Sequence, residues 1–550
     1  MTSKKHLARK DFLIANVLIA GYSLFLFLFS QEMALSNPYW INDDWPQHHL
    51  WLYQYQANFF QTDDFYLLAA EAIQPWGVTI VNRLLASFFP PLTISKIFPL
   101  FTLYATCWFS FFLIKRRLGW AFAIAAMVLM SNIPFERMIG FFARAYAFPL
   151  LLAFLYCWVE EKKKAVLAVV FLSSLFYPVI FLLEGGIMGI SFAIALLEKK
   201  VAQNARWYLG QLVVLLCCCC LLLWKSYRIE HNPVLGGFLS KTELLERPEF
   251  GPGGRVSFQY NMNIDLPLRF SWKSYFPLPT GGYGIVLVAS LLLILISLLL
   301  LRKSEHKRLD ITIVSLFVSG TVLFYLAQWR LPQLFLPERY LYYSYLPFLF
   351  LLVLRSFSFL RSLIRKPLFL DISVMAILIF AAFYQKSPKD IGLYGYDEHR
   401  SLYEQINTFK RPVMIAGPPI ITSQIPTFCR QSVLFSQEAA HAIYFKNYYD
   451  YVKPRVDDFV DAYTSDKLED LRDFIGKYDI DYLIIDKKFL SSKEIWFYEP
   501  YRGIIRKKLK EVDPTSLALT QIPPAFIIKV DERYDLLDGK ALLSSEAILK

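Results

Sequence analysis

Three short stretches of this chain set carboxylates beside guanidinium groups and imidazoles. The first reads Trp40-Ile41-Asn42-Asp43-Asp44-Trp45-Pro46-Gln47-His48-His49, an acid pair followed closely by a His pair. The second, PFERMIGFFARAYAFP at residues 134–149, carries Glu136, Arg137 and Arg144. The third, WRLPQLFLPERY at residues 329–340, carries Arg330, Glu338, Arg339 and Tyr340. A carboxylate can take the proton of an attacking hydroxyl. A guanidinium offers a planar fork that matches a phosphate. Asp43, Asp44 and Glu136 could still hold a divalent metal, although the chemistry just described requires none. Each residue also has a plainer reading. The acid pair can start a helix or sit in a solvated turn. His48 and His49 can pack against Trp45 and Trp51, and Arg144 can snorkel to an interface. Arg339 can pair with a loop acid or a lipid headgroup.

These residues need a frame, and the composition says which kind. Charged residues are 19% of the 550, aromatics 17%, and mean hydropathy is positive. A soluble protein usually carries about 25% charge. The composition excludes a disordered chain, a coiled coil and a disulfide-stapled secreted domain. It predicts an α-helical polytopic membrane protein. Apolar runs of about 20 residues can span a bilayer. About eleven begin, near residues 12, 95, 118, 143, 165, 184, 207, 283, 309, 340 and 368. The run 165–197 is broken at Tyr177-Pro178 and at Glu184-Gly185-Gly186, and reads as two short helices. The first run is longer than a signal-peptide core and reads as a retained anchor. Cys217 to Cys220 fall inside an apolar run, where four successive residues point around a helix and suit no metal.

Charge divides the chain. Residues 1–385 hold 34 basic against 21 acidic side chains, and residues 386–550 hold 24 against 25. The N-terminus and one alternate set of loops, including Lys115-Arg116-Arg117 and Lys162-Lys163-Lys164, hold 21 of the first group's basic residues. The positive-inside rule places that set in the cytoplasm. Eleven spans then put loops 30–92 and 225–282, and the C-terminal part, outside the plasma membrane. The basic excess follows topology, so nucleic acid is not an expected partner. In loop 30–92, residues 49–60 (HLWLYQYQANFF) suit an amphipathic helix lying in the interface. In loop 225–282, Gly251-Pro252-Gly253-Gly254 reads as a flexible turn. Residues 386–550 read as a soluble mixed α/β domain. Residues 412–417 and 482–486 are its buried strands, Lys467 to Tyr478 is an amphipathic helix, and Asp457, Asp458 and Asp461 form a solvated face. His399 and His441 stand isolated there.

An acid pair after the first span, many spans and a C-terminal outer α/β domain resemble the GT-C class of polytopic membrane glycosyltransferases. That class includes protein O-mannosyltransferases, aminoarabinose transferases and oligosaccharyltransferases. Asp43-Asp44 with His48-His49 resembles the class's first-loop acidic motif. Pro337-Glu338-Arg339-Tyr340 resembles a late-helix motif, and Phe142-Ala143-Arg144 with Phe148-Pro149 resembles the second outer loop. The Trp-Trp-Asp motif of oligosaccharyltransferases is missing, and Trp496 is the lone Trp of residues 386–550. The resemblance therefore does not extend to that branch.

The resemblance implies transfer of a sugar from a polyprenyl-phosphate donor to the hydroxyl of a glycan, lipid or protein acceptor. Asp43 or Asp44 would be the catalytic base. Arg339, Arg144 and Arg330 would bind the donor phosphate, and His48, His49, Glu136, Glu338 and Tyr340 would line the substrate site. Readings from other classes are a transporter, with Glu184 as its midplane acid, a non-catalytic scaffold, and a polysaccharide polymerase. Against a transporter, the acids and arginines gather at one face, and the chain shows no matching halves.

Overall fold

In the computed structural model of the chain, the first helix already sets the scale of the architecture. The structure describes residues 2–56, 64–257, 307–334, 336–363, 371–373, 375–376, 379–380, 389, 391–491, 497–512 and 514–545. The expected span near residue 283, most of the one near 368, residues 57–60 and Trp496 lie outside the described residues.

Helix α1 (Thr2–Ser36) is apolar nearly all round and leaves Phe12, Leu13, Val17 and Phe25 exposed, as a lipid-facing helix must. After short helices α2 (Trp45–His49), α3 (Phe65–Ala72), α4 (Trp76–Ala86) and α5 (Pro91–Ile97) come the bundle helices. These are α6 (Pro99–Leu118), α7 (Trp120–Asn132), α8 (Ala147–Val159), α9 (Lys163–Phe176), α10 (Pro178–Leu197) and α11 (Ala205–Glu230). Two more helices, Lys307–Trp329 and Glu338–Leu363, complete the described part of the bundle. Among the described residues, five helices are long and apolar enough to cross a membrane. A sixth is gained if the bent pair Trp120–Asn132 and Phe135–Phe141 is one span. Helices α8 and α9 have 13 and 14 residues, about 20 Å at 1.5 Å per residue, short of a ~30 Å hydrocarbon core.

The break expected at Tyr177-Pro178 is present. Pro178 opens α10 and disfavours the helical conformation at Tyr177, whose φ of −153° ends α9. The second expected break is not there. Glu184, Gly185 and Gly186 lie inside α10, because Gly is tolerated in an apolar helix and Ser173 Oγ donates to the Glu184 carboxyl at 2.9 Å. The two glycines thus mark no break, and Glu184 is a buried acid within the helix.

The two ends of the bundle differ in content. At one, Lys115 meets Asp11, Arg116 and Arg117 grip Glu160, and Arg308 grips Glu161. The basic loops thus come together at one end. The acid pair lies at the other. There Lys96 Nζ donates to the carbonyls of Ala34, Asn37 and Pro38 at 2.7–3.2 Å, tying the entry of α6 to the exit of α1.

The C-terminal part sits on that second end. Strand β1 (Trp40–Ile41) pairs antiparallel with β2 (Tyr394–Gly395). The Asn42 amide donates to the Gly392 carbonyl at 2.6 Å. Beyond β2 runs a five-stranded mixed sheet of β3 (Met414–Ala416), β4 (Ser432–Val433), β5 (Tyr482–Asp486), β6 (Ile527–Lys529) and β7 (Tyr534–Asp538), in the order β4-β3-β5-β7-β6. β3 is parallel to β4 and β5, and β7 is antiparallel to β5 and β6. The helix Leu468–Lys477 feeds β5, burying Leu471, Phe474 and Ile475.

One hydrophobic core joins this sheet to the loops. It holds Trp45, Trp51 and Tyr53 of the first loop, Phe141 and Phe142 of the second, Leu235 and Phe250 of the third, and Phe435, Phe459 and Leu483 of the sheet region. This corrects the expectation for residues 49–53. His49 to Tyr53 are buried, and Leu50–Tyr55 is a 3-10 turn whose Tyr53 hydroxyl donates to the Thr427 carbonyl at 2.6 Å. Of the aromatics that suggested an interface helix, Trp51 and Tyr53 are covered by protein, while Tyr55 is exposed. An exposed apolar stripe runs instead along α4 and past its end, through Ile80, Leu84 and Phe88.

Candidate functional site

Where the loops, the bundle and the sheet region meet, a cavity of about 540 Å³ opens. Its apolar walls come from α9, α10 and α11 and include Leu175, Pro178, Leu182, Leu221 and Leu222. Its polar floor brings together Asp44, His48, Arg144, Arg339 and Tyr340 from the three stretches singled out in the sequence.

Asp44 sits just before α2, whose Pro46 fixes the first turn. Its backbone N–H donates to Asn42 Oδ1 and to Asp43 Oδ1, both at 3.1 Å, so Asp43 is folded back into the turn. The Asp44 carboxylate receives two donors. Arg144 Nη1 holds Oδ2, and Gln47 Nε2 reaches Oδ1 at 3.2 Å. Arg144 also donates from Nη2 to Asn42 Oδ1 at 3.3 Å and lies 5.1 Å over the Phe142 ring. Its Nε is buried with no hydrogen-bond partner. A buried donor left unmade is costly, and an anion entering the cavity would satisfy it.

The pair of acids is split electrostatically. Burial raises the Asp43 carboxyl to about 6, with the adjacent Asp44 charge adding to the rise. Burial opposes the Asp44 charge too, yet the Arg144 guanidinium outweighs it, and the carboxyl is held below its ordinary value. Asp44 is thus a fixed anion beside a fixed cation. Burial keeps both imidazoles of the His pair neutral, lowering His48 to about 3 and His49 to about 4.

His49 does not reach the cavity. Its Nε2 lies 2.6 Å from the Gly140 carbonyl and its ring packs 5.1 Å from Phe142. Gly140 has φ +82°, and a Cβ there would run into the Phe142 ring. That turn carries the backbone from α7 to Arg144. His48 lines the cavity, 3.4 Å from Gln74 Nε2. Arg339 donates to the Tyr177 hydroxyl at 3.3 Å, and Tyr340 is buried beside it.

Other expected residues lie elsewhere. Asp43 is not part of the cavity wall. Glu136 is 3.3 Å from Arg137 Nε, and Arg330 lies 4.9 Å over the Trp329 ring. Neither they nor Glu338 line the cavity. The carboxylates Asp43, Asp44 and Glu136 do not converge on one point. Among the described residues, no three His, Cys, Asp or Glu side chains form a group that could hold a metal ion.

Sequence reasoning missed several wall residues. His441 is not isolated: it lines the cavity opposite Asp44, and burial drives its imidazole far below the ordinary value. Tyr444 joins it from the same segment. Lys225, at the outer end of the apolar part of α11, lines the cavity and donates to the Ala72 carbonyl at 2.8 Å. A lysine closing an apolar run on the side of the acid pair was the available signal. Glu438 stands behind the cavity. Arg255 Nη2 donates to it at 2.9 Å, and burial raises its carboxyl to about 7 against the pull of Arg255.

Comparison with known proteins gives a likeness of fold. No protein-family model and no curated protein sequence matches the chain. Among solved structures, the Archaeoglobus fulgidus oligosaccharyltransferase tethered to an acceptor peptide containing the NVT sequon aligns at 11% identity. That alignment covers 91% of this chain and 71% of that one, with a TM-score of 0.50. The same enzyme in its apo form aligns at 12% identity and a TM-score of 0.48, covering 88% and 70%. Its complex with an inhibitory peptide and a dolichol-phosphate gives the same values.

Proposed function

We propose that this protein is a GT-C-like membrane glycosyltransferase that moves a sugar from a polyprenyl-phosphate donor to an acceptor hydroxyl. The observation that carries the reading is one cavity with apolar walls where a fixed carboxylate, Asp44, meets a guanidinium with a buried unpaired N–H, Arg144. A polyprenyl chain has the apolarity of the walls formed by α9, α10 and α11. Its phosphate has the charge and the acceptor oxygen that the buried Arg144 Nε can bond, and Arg339 lines the same cavity. The fold likeness to an oligosaccharyltransferase agrees with this class of chemistry.

In the reaction, Asp44 takes the proton of the acceptor hydroxyl as that oxygen attacks the anomeric carbon. The bond from that carbon to the phosphate oxygen breaks, and polyprenyl phosphate leaves with its charge held by Arg144 and Arg339. Direct displacement inverts the anomeric configuration. Asp44 takes the base role over Asp43 because it lines the cavity. Low basicity is tolerable where the accepted proton can pass on to solvent. Neutral His48 and His441, and Tyr340, contact the sugar. The acceptor enters from the sheet region, which supplies His441 and Tyr444. We assign residues 1–385 to the membrane part and 386–550 to a domain on the outer face of the plasma membrane, in line with the basic loops gathered at the opposite end.

Purified protein in detergent, offered a panel of polyprenyl-phosphate sugars, tests the reading. Transfer or slow hydrolysis of one donor, with an inverted product, is the expected result. Folded protein that neither binds nor turns over any donor of a broad panel would overturn it in favour of a scaffold or transporter.

A further inference from the structure

Asp44 is held by two donors, and the second has a partner of its own. Gln47 stands on α2, one turn after Asp44, and is 7% exposed. Its amide nitrogen lies 3.2 Å from Asp44 Oδ1 and 2.5 Å from Glu438 Oε2. A primary amide has two N–H bonds, so one group bridges two carboxylates. Each carboxylate is also gripped by its own guanidinium, Asp44 by Arg144 and Glu438 by Arg255. Arg255 is fixed in turn by its Nε, which donates to the Gln437 carbonyl at 2.7 Å. The Glu438 backbone N–H donates to Ser423 Oγ at 3.3 Å.

The order Arg144, Asp44, Gln47, Glu438, Arg255 is a continuous chain of charge and dipole drawn from four separate segments. Without Glu438, one N–H of Gln47 would lose its acceptor in a buried place. The amide would then be free to rotate away from Asp44, because a long side chain is held only by what it bonds. Glu438 does not line the cavity, and neither does Arg255.

We infer that Glu438 is a positioning residue for the transfer reaction: through the Gln47 amide it fixes the Asp44 carboxylate at the cavity, so the sheet region sets the geometry of the base. This rests on the reading of Asp44 as base. A base displaced by about 1 Å can lose on the order of 100-fold in rate while the donor phosphate is still bound by arginine. The two effects separate in kinetics.

Glu438→Ala and Gln47→Leu are the test, measured beside wild type and Asp44→Asn. The expected result is a fall of 10-fold or more in kcat for each of the first two, with donor KM changed less than twofold. The double variant Glu438→Ala/Gln47→Leu should be no worse than the worse single variant, since both break one link. A merely structural role would move melting temperature and KM along with kcat, and the two losses would multiply. If Glu438→Ala fails to fold, Gln47→Leu alone decides, because the inference requires its kcat-only loss. Wild-type kcat in both variants while Asp44→Asn is inactive would overturn the positioning role and leave the base role standing. Full activity in Asp44→Asn would overturn the base role itself.

Discussion

The two ends of the helical bundle both concentrate arginine beside carboxylate, and they use the pairing in opposite ways. At the basic end, Glu160 is gripped by Arg116 and Arg117, and Arg116 is 78% exposed. At the other end, Asp44 is gripped by Arg144, only 15% exposed, with an unpaired Nε and a cavity alongside. The first arrangement gives each Glu160 oxygen its own arginine, and its outer member, Arg116, is screened by water and salt. The second keeps charge in a place where an incoming anion can change its partners. Proximity of opposite charges therefore says little by itself. An unsatisfied donor and room for a ligand, rather than burial alone, set the site apart.

The sharpest way to break that comparison is to remove the cation at each end. Arg144→Ala should cost roughly 100- to 1,000-fold in kcat/KM for a polyprenyl-phosphate sugar, the usual loss of a preorganised charge at a developing oxyanion. Thermal unfolding should show that the fold survives. Arg339→Ala should follow with a smaller loss, about 10-fold, expressed mainly in donor KM, because Arg144 still holds the phosphate. Steady-state kinetics over a donor titration checks both.

Asp43 sharpens the comparison within the acid pair. Its folded carboxyl is raised to about 6 from an ordinary value of 3.8. The fold thus prefers the neutral form. The associated stability is fully present below about pH 4 and is lost as pH rises through about 6. Asp43→Asn should then match wild type in thermal stability near pH 4 and exceed it by about 1–3 kcal/mol at pH 7.5. An unfolding series across pH reads the crossover, and a variant less stable at pH 7.5 would contradict the shift. The smallest effect belongs to the basic end. Arg116→Ala should change stability by less than about 1 kcal/mol and leave turnover as in wild type, since Arg117 still holds Glu160.

Much of the site could be read from residue order because local chemistry decides it. The acid pair before Trp45-Pro46, the arginine ahead of α8 and the Arg-Tyr at the start of helix Glu338–Leu363 all fall at helix ends, and helix ends on one side of a bundle must meet. Strand β5 and the helix before it followed from apolar periodicity, as did the break at Pro178 from its effect on Tyr177. What could not be read depends on cover. Residues 49–53 are as aromatic as an interface helix, and only the sheet region packed over them makes them core. His441 and Glu438 lie almost four hundred residues beyond Asp44, and no local pattern links them to it. Glu184 looked like a break because two glycines follow it, while its actual partner, Ser173, belongs to the neighbouring helix.

The central claim is that Asp44 takes the acceptor's proton while arginine holds the donor. Single-turnover transfer by Asp44→Asn, with donor binding measured on the same preparation, tests it most directly. The account predicts donor affinity within a few-fold of wild type and a rate lower by about 1,000-fold. A variant that binds the donor and transfers the sugar at the wild-type rate would contradict it.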